Sequence, residues 1–394
     1  QIIYLSQAYS FSPFWKWWFK PRAYCVFTTL DVIEMSGASQ RPKQRSDEKH
    51  HQPLLDSQTT VPETEIRTSI RSSGPAVQSF TARYNGEPPE ALIFKGGGTK
   101  GVAYTGAMKR LEEAGLLQGI KKFAGTSAGS QVAAMLAFGF SGEELKDINQ
   151  NSPWSQLLDS SHGCCGPCRN LSRLFRRFGI CRGQFLQDYL DDLFKKKCGV
   201  SRCTFQQLFE LSGTELRLGT CNMVTRRFEF LDRHNQPNMP ICVACRASSS
   251  IPILFEPVRW QNALYVDGGL EGNLPISAFQ HDSKILALNF RSESEASRPQ
   301  QIPTNLIEFL KQSAEMLFEA AQGVHGVDTI SAKAKELTGK GIDIIHIDTG
   351  AYGPLDTSMH DEELEGLVKA GYDAVHQYLC GDDANAEATN VSAS

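Results

Sequence analysis

At 394 residues, 41% of them hydrophobic, the chain is long enough for two or three domains and a large buried core. Its 40 Lys and Arg stand against 44 Asp and Glu, a net charge of -4, which argues against a generic nucleic-acid binder. No run of roughly 18 apolar residues occurs, so no segment reads as a membrane-spanning helix.

Cysteine is plentiful at eleven, but the number is odd and a chain of this length does not need disulfide staples. The start lacks the pattern of charged residues, apolar run and small-residue cleavage site. These features predict a reducing, cytoplasmic setting; peripheral contact to membranes is raised by the aromatic and basic start instead.

Residues 1–35 mix Trp15, Trp17 and Trp18 with Phe14, Phe19, Lys16, Lys20 and Arg22. Rings and cations together suit a membrane interface, but no helical period supports that over a plain extension. Residues 36–89 are rich in Ser, Gln, Pro and charge and cannot bury enough surface to fold, so they read as a disordered linker. The aromatic start and linker therefore form one region, 1–90.

Order is predicted from Ala91. Ala91–Phe94 is a short apolar run ending on glycines, as a buried strand would. Helical spacing follows over Gly101–Leu117, a strand over Ile120–Ala124 and a small-residue helix over Ala128–Phe138. Strand, glycine turn and helix, twice over, signal a parallel sheet with crossover helices. Ser141 and Glu144 form a capping box opening another helix. Further strands are predicted at Leu216–Cys221, Arg227–Leu231, a run ending near Val266, Lys284–Asn289 and Ile342–Ile347. Helices are predicted at Leu306–Ala321 and Glu362–Leu379. The fold class is thus α/β: a main domain over 91–290, its completion over 291–380 and an acidic disordered tail over 381–394.

The loop Gly96-Gly97-Gly98-Thr99-Lys100-Gly101 satisfies G-x-G-x-x-G between a strand and a helix. A dinucleotide fold would also need an acid at the end of the second strand, and a P-loop would need Ser or Thr after the lysine. Both are missing. The second strand ends instead in Gly125-Thr126-Ser127-Ala128-Gly129, a G-x-S-x-G nucleophile elbow whose glycines remove side chains that would clash in the turn. A base is then required. His281, His325, His346, His360 and His376 all follow later, but none has a motif around it. The stronger candidate is Asp267, delivered by an apolar strand onto Gly268 and Gly269.

In this order, Gly96–Gly101, Gly125–Gly129 and Asp267–Gly269 resemble the three motifs of patatin-like phospholipases. Ala247–Pro252, Phe255–Val258 and Asn273-Leu274-Pro275 are also similar to stretches of that family. The resemblance covers roughly 91–290. It implies a three-layer α/β/α patatin-like domain with a mainly parallel sheet and a Ser127–Asp267 dyad working without histidine. The backbone N–H groups of Gly96, Gly97 and Gly98 would form the oxyanion hole, with Lys100, Gly101, Gly125, Gly129, Gly268 and Gly269 supporting the motifs. Lys100 departs from the family's usual Arg, keeping the charge but losing the forked donor. The dyad implies no metal and no cofactor. The implied partners are a lipid substrate at a membrane or micelle surface, with room for a protein activator, and no nucleic acid.

A Cys- and Arg-rich insertion over 160–203 stands apart. It holds His162, Cys164, Cys165, Cys168, Cys181, Cys198 and Cys203. Cys165 and Cys168 with Cys198 and Cys203 could hold zinc, and Cys165–Cys168 matches a redox pair without its strand, but free thiols are the preferred reading. Cys242 and Cys245 read as core. Asn170–Ile180 reads as an amphipathic helix, with Leu171, Leu174, Phe175 and Phe178 on one face and Arg173, Arg176 and Arg177 on the other. The preferred reading packs its apolar face on the core; the alternative sets it against a membrane or a partner protein.

The expected function is hydrolysis of phospholipid or lysophospholipid acyl esters. The alternatives are a neutral-lipid lipase or general esterase, and a catalytically silent lipid-binding scaffold.

Overall fold

A computed structural model of the chain describes residues 88–153, 166–279, 284–291, 341–350, 352–355 and 359–380, with scattered positions at 156, 159 and between 302 and 316. All lie in one compact unit, Val61–Ser394. The aromatic start, nearly all of the linker, the tail, His162, Cys164, Cys165, His281, His325 and most of the predicted helix Leu306–Ala321 lie outside the described residues.

Strand β1, Ala91–Phe94, is buried along its whole length. Side chains alternate across a strand, so Leu92 and Phe94 enter one apolar cluster while Ala91 and Ile93 enter another. Burial on both faces explains why the run is continuously apolar rather than alternating. β2, Lys122–Thr126, begins and ends two residues later than predicted. Hydropathy ends the run at Ala124, but Gly125 pairs with Phe94 and Thr126 with Gly219, so the backbone ladder carries the strand further.

A 3₁₀ turn, Gly98–Val102, leads into α1, Ala103–Glu113. α2 spans Ala128–Ala137, and α3 spans Gly142–Asn151 behind the capping box of Ser141 and Glu144. Next come α4 (Gly166–Arg177), β3 (Gly179–Cys181), α5 (Gln184–Cys198) and α6 (Phe205–Ser212). β4 (Glu215–Asn222), β5 (Arg227–Leu231), α7 (Ile241–Ser248), β6 (Ile253–Phe255), β7 (Val258–Trp260) and β8 (Ala263–Asp267) follow. β9 (Ile285–Arg291), β10 (Ile342–Asp348) and α8 (Asp361–Cys380) complete the described elements.

The main sheet runs β10-β9-β1-β2-β4-β8-β7, with β5 also paired to β4. β10, β9, β1, β2 and β4 are parallel; β5 and β8 run antiparallel to β4, and β7 pairs antiparallel with β8. Helices α1, α2, α7 and α8 pack on the Leu92 side. Among the described residues, Ile276, Ala278 and Phe279 cover the opposite side. This is the three-layer α/β/α arrangement with a mainly parallel sheet. No helix among the described residues is long and apolar enough to cross a membrane.

The insertion differs most from expectation. The helix predicted to reach Ile180 stops at Arg177; Phe178 takes a positive φ of 68°, and Gly179–Cys181 pairs in parallel with β6. Its apolar face does not pack on the core, since Leu171, Phe175 and Phe178 are 41%, 76% and 52% exposed. Arg173 turns inward instead, 3.3 Å from Glu256 and donating to the Ile180 carbonyl at 2.7 Å. The reason is the β3–β6 pairing, which fixes the end of α4 against Glu256 and leaves its apolar side outward.

Cys168, Cys181, Cys198 and Cys203 are free thiols. Burial pushes Cys181 and Cys203 up to about 12, as it does Cys242 in α7, so these are inert packing groups.

Candidate active site

Ser127 stands alone between the end of β2 and the start of α2. Its backbone, φ 53° and ψ -126°, is one that side chains rarely adopt, at a cost on the order of 1–3 kcal/mol. Neighbours hold it there. The Ser127 N–H donates to Ser248 Oγ at 2.9 Å, and that hydroxyl donates to the Gly219 carbonyl on β4 at 2.6 Å. Ser130 donates to the Ser127 carbonyl from both its N–H and its hydroxyl. A Cβ on Gly129 would lie 2.5 Å from the Phe94 carbonyl, and one on Gly125 would lie 2.2 Å from the Gly129 carbonyl. The elbow therefore requires both glycines by contact.

Asp267 is the last residue of β8. Thr126 pairs with Gly219 and Asp267 with the next residue, Thr220, so β4 sets nucleophile and acid at one level. The Asp267 side chain is fully buried. Its Oδ1 accepts from the Gly269 N–H at 2.8 Å, and Gly268 and Gly269 form the 3₁₀ turn beyond it. Its Oδ2 has no hydrogen-bond partner. The Ser127 hydroxyl acts on the same carboxyl and favours its charged form, although no closed hydrogen bond joins them. Burial dominates and raises the carboxyl from 3.8 to about 7, with the Gly269 N–H and the Ser127 hydroxyl pulling it back. A carboxyl poised there can both take and return a proton near neutrality.

The glycine loop is stitched down unevenly. The Gly96 N–H donates to the Asn273 carbonyl at 3.0 Å, while Asn273 Nδ2 returns to the Gly96 carbonyl at 3.3 Å. Thr99 N–H donates to Pro354 and Lys100 N–H to Gly97. Among the described residues, the Gly97 and Gly98 N–H groups make no backbone bond of this kind, whereas that of Gly96 does. Gly98 has φ +56°, and a Cβ there would stand 1.7 Å from the Pro354 carbonyl. Gly101 lets the loop approach Ala128.

Lys100 is buried under the loop rather than displayed at the surface. Lys95 is buried beside it; burial first, then the Lys100 charge, lowers Lys95 to about 8. The Lys95 carbonyl accepts from the Tyr104 hydroxyl at 2.7 Å.

Ser127 and Gly98 open into an apolar cavity of about 130 Å³, lined by Val102, Val132, Met135, Leu186, Ile251 and Phe255. A larger groove of about 630 Å³ by Leu117, Phe138, Phe140 and Leu211 contains neither Ser127 nor Asp267. Size alone would favour the groove; Ser127, level with a poised carboxyl, favours the cavity. None of the described histidines joins the pair: His346 meets Asn289, and His376 lies by Arg110 and Cys380.

Two supporting residues escaped the sequence reading. Ser248 lies within the Ala247–Pro252 stretch and Asn273 within Asn-x-Pro, so their motifs were visible. Their hydrogen bonds to the elbow and loop were not, because both partners are far away in the chain.

Residues 92–279 match the family model described as Patatin-like phospholipase. The Bacillus subtilis (strain 168) protein YqhO is 30% identical over 256 residues, covering 62% of this chain and 84% of that protein. The probable lipid hydrolase 463L of Invertebrate iridescent virus 6 is 27% identical over 189 residues, 48% of this chain and 62% of that protein. The crystal structure of VipD from Legionella pneumophila aligns with a TM-score of 0.46 at 19% identity, over 74% of this chain and 67% of VipD.

Proposed function

Because the chain belongs to the patatin-like phospholipase family, we propose that it hydrolyses acyl esters of phospholipids or lysophospholipids through a Ser127–Asp267 dyad. The observation that carries this reading is the buried Asp267 carboxyl, with one oxygen unpartnered, set by β4 at the level of Ser127.

The Ser127 hydroxyl gives its proton to Asp267 as its Oγ bonds to the ester carbonyl carbon. Negative charge gathers on the carbonyl oxygen, towards the N–H groups of Gly97 and Gly98 and the positive end of α2. The C–O bond to the leaving alcohol then breaks, and Asp267 returns the proton to that oxygen. Water repeats the cycle: its proton passes to Asp267, its oxygen attacks the acyl-serine carbon, and Ser127 leaves with the proton restored. The products are an alcohol and a carboxylic acid. The apolar cavity takes the acyl chain, because Val132, Met135 and Leu186 offer it no hydrogen-bond partner to compete with water. Lys95 and Lys100 add a positive field beneath the loop.

The test is labelling of the purified chain by a fluorophosphonate, located by peptide mass. Label is expected on Ser127, falling by at least about 10²-fold in Asp267→Asn. A folded chain that takes no label at Ser127 overturns the dyad. Fatty-acid release from phosphatidylcholine vesicles, measured against triacylglycerol emulsions, then separates a phospholipase from a neutral-lipid lipase.

A further inference from the structure

Helix α4 is built inside out. Asn170 is buried and Arg173 is held against Glu256, while Leu171, Phe175 and Phe178 stand in solvent. From Gly166 to Arg182 there are five arginines and no carboxylate, in a chain whose net charge is -4. Arg173 is neutralised by Glu256. Among the described residues, Arg169, Arg176, Arg177 and Arg182 form no ion pair, and they line an open groove of about 520 Å³ beside the helix. A water-facing helix gains nothing by exposing a phenylalanine at 76%, and clustered like charges repel one another. Both costs disappear against a surface that is apolar within and anionic at its rim.

We propose that α4 is the docking face for an anionic phospholipid surface. Leu171, Phe175 and Phe178 enter the headgroup–acyl boundary, while Arg169, Arg176, Arg177 and Arg182 bind lipid phosphates. The guanidinium fork fits phosphate oxygens in pairs, and short apolar side chains within a basic ring suit shallow insertion. This inference rests on the lipid-hydrolase reading and gives it a direction. β3, which follows α4, pairs with β6, and Phe255 of β6 and Ile251 just before it line the cavity at Ser127. Glu256, the next residue, holds Arg173. The docking helix is thus strapped to the segment that forms the cavity wall, so a lipid held at α4 lies beside the place where its acyl chain must enter.

The test uses the full chain carrying Ser127→Ala, so that binding is read without hydrolysis and stands whether or not the dyad reading does. Sedimentation with vesicles of equimolar phosphatidylserine and phosphatidylcholine is compared with phosphatidylcholine alone. The chain is expected to prefer the anionic vesicles and to be released as salt rises. Adding Arg176→Gln and Arg177→Gln should weaken partitioning roughly 30-fold, from about 1 kcal/mol per cation near the surface. Phe175→Ser alone should weaken it on both vesicle types by roughly tenfold or more. Thermal melting identifies any variant that fails to fold, and Leu211→Gln, an exposed apolar residue on α6, serves as the control. Equal binding to both vesicle types, or binding unmoved by the α4 changes in folded chains, overturns the proposal. So does failure to bind either vesicle, which would leave the face to a protein partner.

Discussion

The turn at Ser127 and the strap at α4 are held in opposite ways. The turn is packed backbone against backbone, Gly129 under the Phe94 carbonyl and Gly125 under the Gly129 carbonyl, with the Ser248 hydroxyl bridging it to β4. At the strap, α4 is held by a side chain, the Arg173–Glu256 pair, beside a short backbone ladder of β3 on β6. Backbone contacts leave no slack for an added carbon, whereas side-chain contacts can be exchanged one at a time. A strained conformation needs the first kind of support, and an adaptable surface needs only the second.

Asp267→Asn attacks the rigid side hardest. Activity is expected to fall by about 10³-fold or more, because the base is lost while the shape is kept. Stability should move the other way. The folded carboxyl titrates near 7, above its ordinary 3.8. Its stabilising contribution is therefore complete below pH 3.8 and is lost as pH rises through 7. Above that, wild type buries a charge that the variant lacks, a difference of up to about 4 kcal/mol at alkaline pH. Denaturant melts of the two proteins at acidic and alkaline pH read this directly; a variant no more stable at high pH contradicts the buried-charge argument. The wild-type kcat/KM should fall as pH drops below about 7, as a base is protonated.

Gly129→Ala comes next. β1 must shift to admit the methyl group, for an expected loss of about 3 kcal/mol or more, or roughly 10 °C in melting temperature. A melting temperature within about 2 °C of wild type would show slack in the elbow. Arg173→Met is the mildest. It strands Glu256 and frees the Ile180 carbonyl, costing about 1–3 kcal/mol. Hydrogen exchange should speed up across Gly179–Cys181, with fluorophosphonate labelling of Ser127 unchanged. Loss of labelling would mean that the strap and the elbow are one cooperative unit.

Legibility in the sequence follows the same division. Ala91–Phe94 could be read to the residue, since a buried strand writes its burial into a contiguous run; the part-exposed Arg227–Leu231 alternates charged and apolar residues over its first four positions instead. The elbow was legible because its glycines are demanded locally. The end of α4 was not, because Arg173 has its partner at Glu256 and Ile180 pairs near β6, far along the chain. Helical spacing placed Leu171, Phe175 and Phe178 on one face correctly but could not say whether that face meets core or solvent. That the Gly96 N–H is already paired was equally hidden: it depends on where Asn273 places its carbonyl.

Ser127 and Asp267 are separated by more than a third of the chain, yet adjacent residues of β4 fix their levels. Everything between α3 and α6 is therefore free of the ruler that aligns them. A chimaera carrying a foreign segment there, joined to an intact β2, β4 and β8, would keep Ser127 and Asp267 at one level. It would receive a new surface in place of α4 and, through loss of Leu186, a recut cavity. The foreign segment would also have to refill the core positions of Leu190, Leu193 and Phe194.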